Sequence, residues 1–515
     1  MKLINYQIGN NTNSSSSHCL VYVKKPKDVK EDVRSVYDYG GYTYGWNWFV
    51  LTSKNEKIKY VLSNLRYFLG NLKKKALDHM IKEYGFNDKK FIKSYLEQKD
   101  ISFDHASVIV VEGQENLDNN SKFKIFQVLA KLFLDDYTVV VGGNDDYCDE
   151  DDYCDENVIN SLTKEKSNIK FDYSFSKLKV LINKYHITIM IGNKYRFTYS
   201  DFNSIEDLIK AYINDGELPI PSLIDLKITN KCSNNCPMCY QNSTKEGNHS
   251  FVDLTDFIKK LADIGVMEIA VGGGNPIEHP FIWHMLYHGS HYIKINLTLK
   301  AIDFKKYVHY AKENNLLFYA RHPIGFGVSI TDYKDIDLVF NALNTVDEYD
   351  MEVFEDNINF HFIAELHNEN TFIDMVEKIS KKAREKGLGN INILLLGFKE
   401  IGRGKNFKKH KWNHANILKQ LKKMVDNDTI TLFNCDTLYA RQVGKETLQT
   451  VFGNNILQQF YTVEGLFSKY IDLVDFKIAP SSYEQDKGSQ EWGLFSKFSK
   501  LEKLLKDTRF ISDKN

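Results

Sequence analysis

From residue 222 onward the apolar positions alternate between short runs and stripes that repeat every three to four residues. Leu223–Thr229 reads as a strand running straight into a polar, cysteine-bearing loop. A helix begins at Asp253, with Leu254, Phe257, Ile258 and Leu261 on one face, and Gly265 closes it. Further strands are predicted at 266–271, 293–299, 327–331, 358–365 and 391–396, with helices from about 280, over 303–312 and over 372–385. Repeated βα units of this kind predict parallel strands joined by right-handed crossovers. They close into a barrel or lie as an open, doubly wound sheet. After about residue 406 the repeat is predicted to stop, leaving 406–515 as a mixed C-terminal extension.

The first 220 residues have another texture and read as a separate α+β region. Residues 62–84 show helical periodicity with lysines on the wet side, and 107–111 and 137–141 are short β-branched runs. Strands at 186–191 and 194–199 flank Gly192-Asn193, a hairpin signal. The polar stretch 10–17, ending in four serines, is predicted to be flexible. Asp-Asp-Tyr-Cys-Asp-Glu occurs twice in tandem over 145–156, and its eight carboxylates predict a solvated loop, with cation binding the alternative. Pro219 and Pro221 mark the boundary between this region and the βα repeat.

A net charge of −1 gives the chain no overall pull toward nucleic acid or anionic membrane. No apolar run approaches the ~18–20 residues that cross a bilayer, and the first nine residues lack the apolar centre of a signal peptide. Seven cysteines, three of them clustered, argue against a secreted disulfide framework and for a reducing cytoplasm.

Those three are Cys232, Cys236 and Cys239, spaced Cys-x3-Cys-x2-Cys. Three thiolates can hold three corners of a 4Fe-4S cluster and leave one iron open for a small molecule. The competing reading is a structural zinc site completed by His249 or His279. In βα architectures ligands gather beyond the C-terminal ends of the strands. The cysteine loop follows the first strand and Gly272-Gly273-Gly274-Asn275-Pro276 the second, so both fall on one rim. Glycines there let backbone approach a ligand, and the run fits neither phosphate-loop fingerprint.

The cysteine loop resembles that of the radical S-adenosylmethionine (SAM) superfamily, and Gly273-Gly274-Asn275-Pro276 resembles a variant of its Gly-Gly-Glu-Pro stretch. The resemblance covers about residues 222–400. It implies a partial (β/α)6, TIM-like barrel over 222–405, and a single 4Fe-4S cluster on Cys232, Cys236 and Cys239 with SAM on the open iron. It implies that Gly272, Gly273, Gly274 and Asn275 meet the methionine moiety and that Met238, beside Tyr240, meets the adenine. Ser329 is similar to the residue that bonds the ribose. Asn275 stands where the family has Glu, and an amide lacks the charge-assisted strength of a carboxylate.

Near the sixth strand, Lys399 and Arg403 are candidates to hold an anionic substrate group or the SAM carboxylate. Cys435 is a candidate hydrogen-atom donor or a small buried hydrophobe. The implied activity is reductive cleavage of SAM to a 5′-deoxyadenosyl radical that abstracts hydrogen from a substrate. It implies a flavodoxin- or ferredoxin-like electron donor. The long N-terminal region suits recruitment of a peptide or protein; a small metabolite or nucleotide is the alternative substrate. From another class, the chain could be a non-catalytic, zinc-binding adaptor.

Overall fold

A computed structural model describes residues 2–8, 18–22, 33–34, 42–44, 49–51, 53–99, 101–103, 110–111, 117–134, 140–142, 177–191, 195–314, 324–355, 357–388, 391–453, 464–485, 490–491 and 498–511. The serine-ending stretch 10–17 and the acidic repeat 145–156 lie outside the described residues. The chain divides into two compact units, one made chiefly of Val23–Ile182 and the other of Lys2–Tyr22, Asn183–Thr188 and Asn193–Asn515.

The first unit is helical where it is best packed. The predicted helix at 62–84 is broken into three: Lys54–Asn64 ends at Leu65, the short Arg66–Leu69 ends at Gly70, whose φ of +51° suits only glycine, and Lys73–Tyr84 begins anew. Ile58, Val61, Leu62, Phe126, Leu129 and Phe133 are buried where these helices meet Asn119–Phe133.

The second unit is α/β and carries the chemistry-bearing loops. Its strands are β1 (Leu223–Thr229), β2 (Glu268–Gly273), β3 (Lys294–Lys300), β4 (Ile324–Ser329), β5 (Ile358–Ile363), β6 (Asn392–Leu396), β7 (Leu432–Asp436) and β8 (Ser468–Asp472). Each of β1 to β7 pairs in parallel with the next, and β8 returns to pair in parallel with β1. The sheet is open: no pairing joins β7 to β8 among the described residues. His18–Tyr22 lies antiparallel along β7, and Lys477–Ala479 antiparallel along β8.

The repeat therefore continues past residue 406, where the sequence predicts its end. Helix His414–Asp426 buries Ile417, Leu418 and Leu421, and β7 follows it in the sheet. The strand is hard to recognise because Asn434 and Asp436 interrupt its apolar run while facing the other way from Phe433 and Cys435.

Helices form where their ends are capped. Asp253 caps α1 (Leu254–Asp263) by accepting from the Thr255 and Asp256 amides. Asp332 and Asp335 form a capping box on Tyr333–Leu343, and Gly387, at φ +79°, ends Glu369–Lys386.

One face of the sheet is apolar throughout. Ile224, Leu226 and Ile228 of β1, Ile269 and Val271 of β2, Phe326 and Val328 of β4, and Ile393 and Leu395 of β6 share a core with the helices. The alternate residues are also buried but polar: Asp225, Lys227 and Thr229 of β1, Glu268, Lys294, Asn296, Asn359, Asn392, Asn434 and Asp472. Lys227 Nζ donates to Asp472 at 2.7 Å, and Glu268 pairs with Lys294 at 3.1 Å and Arg196 at 3.4 Å.

Candidate functional site

The loop that leaves β1 is fastened to its own return path. The Asn230 amide donates to the Asn248 carbonyl, the Cys232 amide to Thr244 and the Ser250 amide to Ile228. Gly247 packs so closely that a Cβ there would lie 2.3 Å from the Asn230 carbonyl. Within this frame Cys232, Cys236 and Cys239 are half-buried free thiols.

The glycine run after β2 abuts this loop. The Gly274 amide donates to Thr229 and the Asn275 amide to Lys231. A Cβ on Gly274 would stand 2.1 Å from the Lys231 carbonyl oxygen, and Gly273 holds φ at +109°. In this structure the glycines thus serve loop-to-loop contact, pressing the second loop against the residue before Cys232. Asn275 is buried and its amide nitrogen donates to Glu278 at 2.9 Å.

Glu278 is the carboxylate of this loop, three residues after Asn275. It accepts from the Ser233 amide at 2.9 Å and the Ser233 hydroxyl at 3.1 Å. Burial pushes its carboxyl up, and the bonds from Ser233 and Asn275 outweigh that and hold it below the usual carboxylate value. Asn234 is tied to the buried Asp303 at the start of the helix after β3.

Arg403, beyond β6, holds the other side of the cysteine loop. Its backbone amide donates to Cys239, its Nε to the Cys236 carbonyl at 2.9 Å and its Nη1 to the Ser243 carbonyl at 3.1 Å. Gly402, at φ +56°, allows this approach, since a Cβ would meet the Tyr240 carbonyl at 2.4 Å. Lys399 lies 4.0 Å above the Tyr240 ring and donates to the Ser482 hydroxyl at 3.3 Å. A half-open polar cavity of about 470 Å³ adjoins this corner, lined by Lys227, Tyr240, Gln241, Gly402, Asp475 and Tyr483 among others.

Three loops at one rim thus meet around Cys232, Cys236 and Cys239. Burial pushes the Cys232 thiol above its ordinary value, and the charges of Cys236, Cys239 and Glu278 add to the rise. The donor set fits a thiolate-held group in kind and in place. Among the described residues no group of three His, Cys, Asp or Glu is placed to hold a single metal ion.

The two candidate zinc histidines stand close together, His249 and His279 ring to ring at 5.2 Å. Both nitrogens of His279 are engaged within the protein, by the Ser250 carbonyl and the Phe281 amide, and burial lowers its pKa to about 4. Ser329 ends β4 at the same rim, half-buried, opposite Lys300 and His361. Met238 places its carbonyl 3.3 Å from where a Cβ on Gly404 would be. Cys435 is fully buried on the helix-facing side of β7.

Sequence patterns alone assign no role to Asp225, Lys227, Asp472 or Glu278. Asp225 and Lys227 alternate with Ile224, Leu226 and Ile228, a period-two signal of an inward polar face. Burial raises the Asp225 carboxyl well above its ordinary value; Lys399 and Ser482 oppose the rise, and Glu464 and Asp472 add to it. Glu278 carries no periodic signal, and only the fold brings it to Ser233.

No helix among the described residues is long and apolar enough to cross a membrane. No family model and no curated protein matches this chain. Among solved structures, the crystal structure of Streptococcus suis SuiB is similar over 58% of this chain and 70% of that one, with 15% identity and a TM-score of 0.40, a likeness too distant to assign an activity.

Proposed function

We propose that this chain is a radical SAM enzyme whose second unit binds a 4Fe-4S cluster through Cys232, Cys236 and Cys239. The observation that carries the reading is the place of the cysteine loop. It leaves the C-terminal end of a parallel strand, bears three free thiols, and is fastened to the glycine turn beyond the next strand. When bound, cluster and SAM supply the chemistry, a reductive cleavage giving a 5′-deoxyadenosyl radical that takes hydrogen from a substrate.

The chain's own residues hold and orient. Cys232, Cys236 and Cys239 ligate, and the glycine turn 272–274 with Asn275 lines the methionine end of SAM. Met238 and Tyr240 lie toward the adenine, and Ser329 bonds the ribose. In this reading the open parallel sheet curls as a partial barrel around the site, β1 to β8 form its core, and the first unit recruits the substrate, a peptide or protein. A flavodoxin- or ferredoxin-like protein delivers the electron.

Anaerobic reconstitution with iron and sulfide tests the proposal. A brown protein with about four irons per chain, releasing 5′-deoxyadenosine from SAM and dithionite, is expected. Replacing all three cysteines with alanine removes both the colour and the product. A colourless chain that holds one zinc, or a triple variant that keeps its iron, overturns the reading.

A further inference from the structure

Two oppositely charged side chains hold the cysteine loop from its two sides, and neither charge is needed merely to fasten a backbone. Arg403 reaches from the loop after β6 and donates to the carbonyls of Cys236 and Ser243, while its own amide donates to Cys239. Its cation therefore lies against the peptide group of Cys236, and its backbone amide against that of Cys239. Glu278 reaches from the loop after β2 and accepts from both the amide and the hydroxyl of Ser233, the neighbour of Cys232. Its anion lies against the third. The nearby Lys306 is paired with Asp303 at 2.9 Å, and Asp303 also holds Asn234. Glycines at 402 and 274 admit both approaches, because a Cβ at either would lie within 2.4 Å of a loop carbonyl oxygen.

We propose, resting on the cluster reading above, that Arg403 and Glu278 are positioning residues that also set the reduction potential of the cluster, in opposite directions. Adding an electron makes the cluster more negative, and net charge around a cluster is one of the protein's means of tuning its potential. A guanidinium bonded to the carbonyl of Cys236 favours the reduced form. A carboxylate beside Cys232 favours the oxidised form. Arg403 acts through part-buried bonds, where screening by water is weaker than at the exposed Ser233 that Glu278 holds. An exchange of Arg for Lys keeps the charge and loses the fork that spans two carbonyls, so it separates charge from grip.

The test uses the full chain, reconstituted anaerobically with iron and sulfide, as wild type, Arg403→Gln, Arg403→Lys and Glu278→Gln. Iron and acid-labile sulfide per chain report the grip, and a redox titration followed by electron paramagnetic resonance reports the midpoint. Arg403→Gln is expected to lower both the midpoint and the iron content. Arg403→Lys restores the midpoint toward wild type and only part of the iron. Glu278→Gln raises the midpoint with iron unchanged.

Equal midpoints in all variants, or Arg403→Gln and Glu278→Gln moving together, overturn this inference and leave the cluster reading intact. If Arg403→Gln takes up too little iron to titrate, the Glu278→Gln midpoint decides alone, a rise supporting the inference and no rise overturning it. A wild-type chain that binds no iron overturns both.

Discussion

The two faces of the parallel sheet in the second unit are built from the same strands by opposite rules. On the helix-facing side, Phe326 meets Phe304, Tyr307 and Phe354 at ring separations of 4.9–5.6 Å. On the other side, Asp225, Lys227, Glu268, Lys294, Asn296 and Asp472 are just as buried, and each demands a partner. Burial on the first face stabilises by removing apolar area from water. On the second, several charges are offset by opposite ones: Lys227 meets Asp472, and Glu268 meets Lys294 and Arg196. The first face makes the fold, and the second carries polar chemistry up to the rim where the cysteine loop begins.

If that contrast is right, substitutions on the two faces should differ in kind. The largest effect is expected from Phe326→Ala, which leaves a hole among three rings and should cost about 4 kcal/mol in urea unfolding at any pH. A loss below about 1 kcal/mol would show that the apolar face is not the main support. Asp472→Asn comes next, at about 3 kcal/mol, because it leaves the buried Lys227 ammonium with only the exposed carboxylate of Asp475, at 3.7 Å. Adding Lys227→Met should recover more than half of that loss. A double variant as unstable as the single one would show that the pair is not a unit.

A third expectation concerns pH. The folded Asp225 carboxyl titrates well above its unfolded value, so the folded state keeps a proton that the unfolded chain has released. Its stabilising contribution is whole below the unfolded value of about 4 and is lost as pH rises toward the folded one. Between pH 5 and pH 8 the wild type should therefore lose more stability than Asp225→Asn. Parallel pH profiles for the two proteins would remove Asp225 from the account.

The smallest effect is expected at the rim. Ser329→Ala should change stability by less than about 0.5 kcal/mol. If Ser329 contacts the SAM ribose, the same change should weaken SAM binding to the reconstituted chain several-fold by calorimetry. Unchanged affinity would confine Ser329 to a structural position.

Much of the second unit is legible in its residue pattern. Leu223–Thr229 forms the strand that its apolar run predicts, and the stripe of Leu254, Phe257, Ile258 and Leu261 lies buried as its spacing requires. The shared rim of the cysteine and glycine loops follows from chain order once the strands are parallel. Strands β7 and β8 are less legible, since polar residues on their inward side dilute the apolar run. Arg403 can be read as a cation near the rim. That its donors go to the carbonyls of the cysteine loop, 160 or more residues earlier in the chain, cannot be read from pattern.

By itself, then, the sequence determined local things: which segments are strands or helices, where they are capped, and which three thiols share a loop. Side-chain period and cysteine spacing are properties of neighbours along the chain, and they survive without a fold. The tertiary structure decided that the glycines press on backbone, that Glu278 stands beside Cys232, and that Arg403 stands beside Cys236 and Cys239. Those are meetings between distant segments. Their chemistry depends on a few ångströms set by packing, which no local pattern encodes.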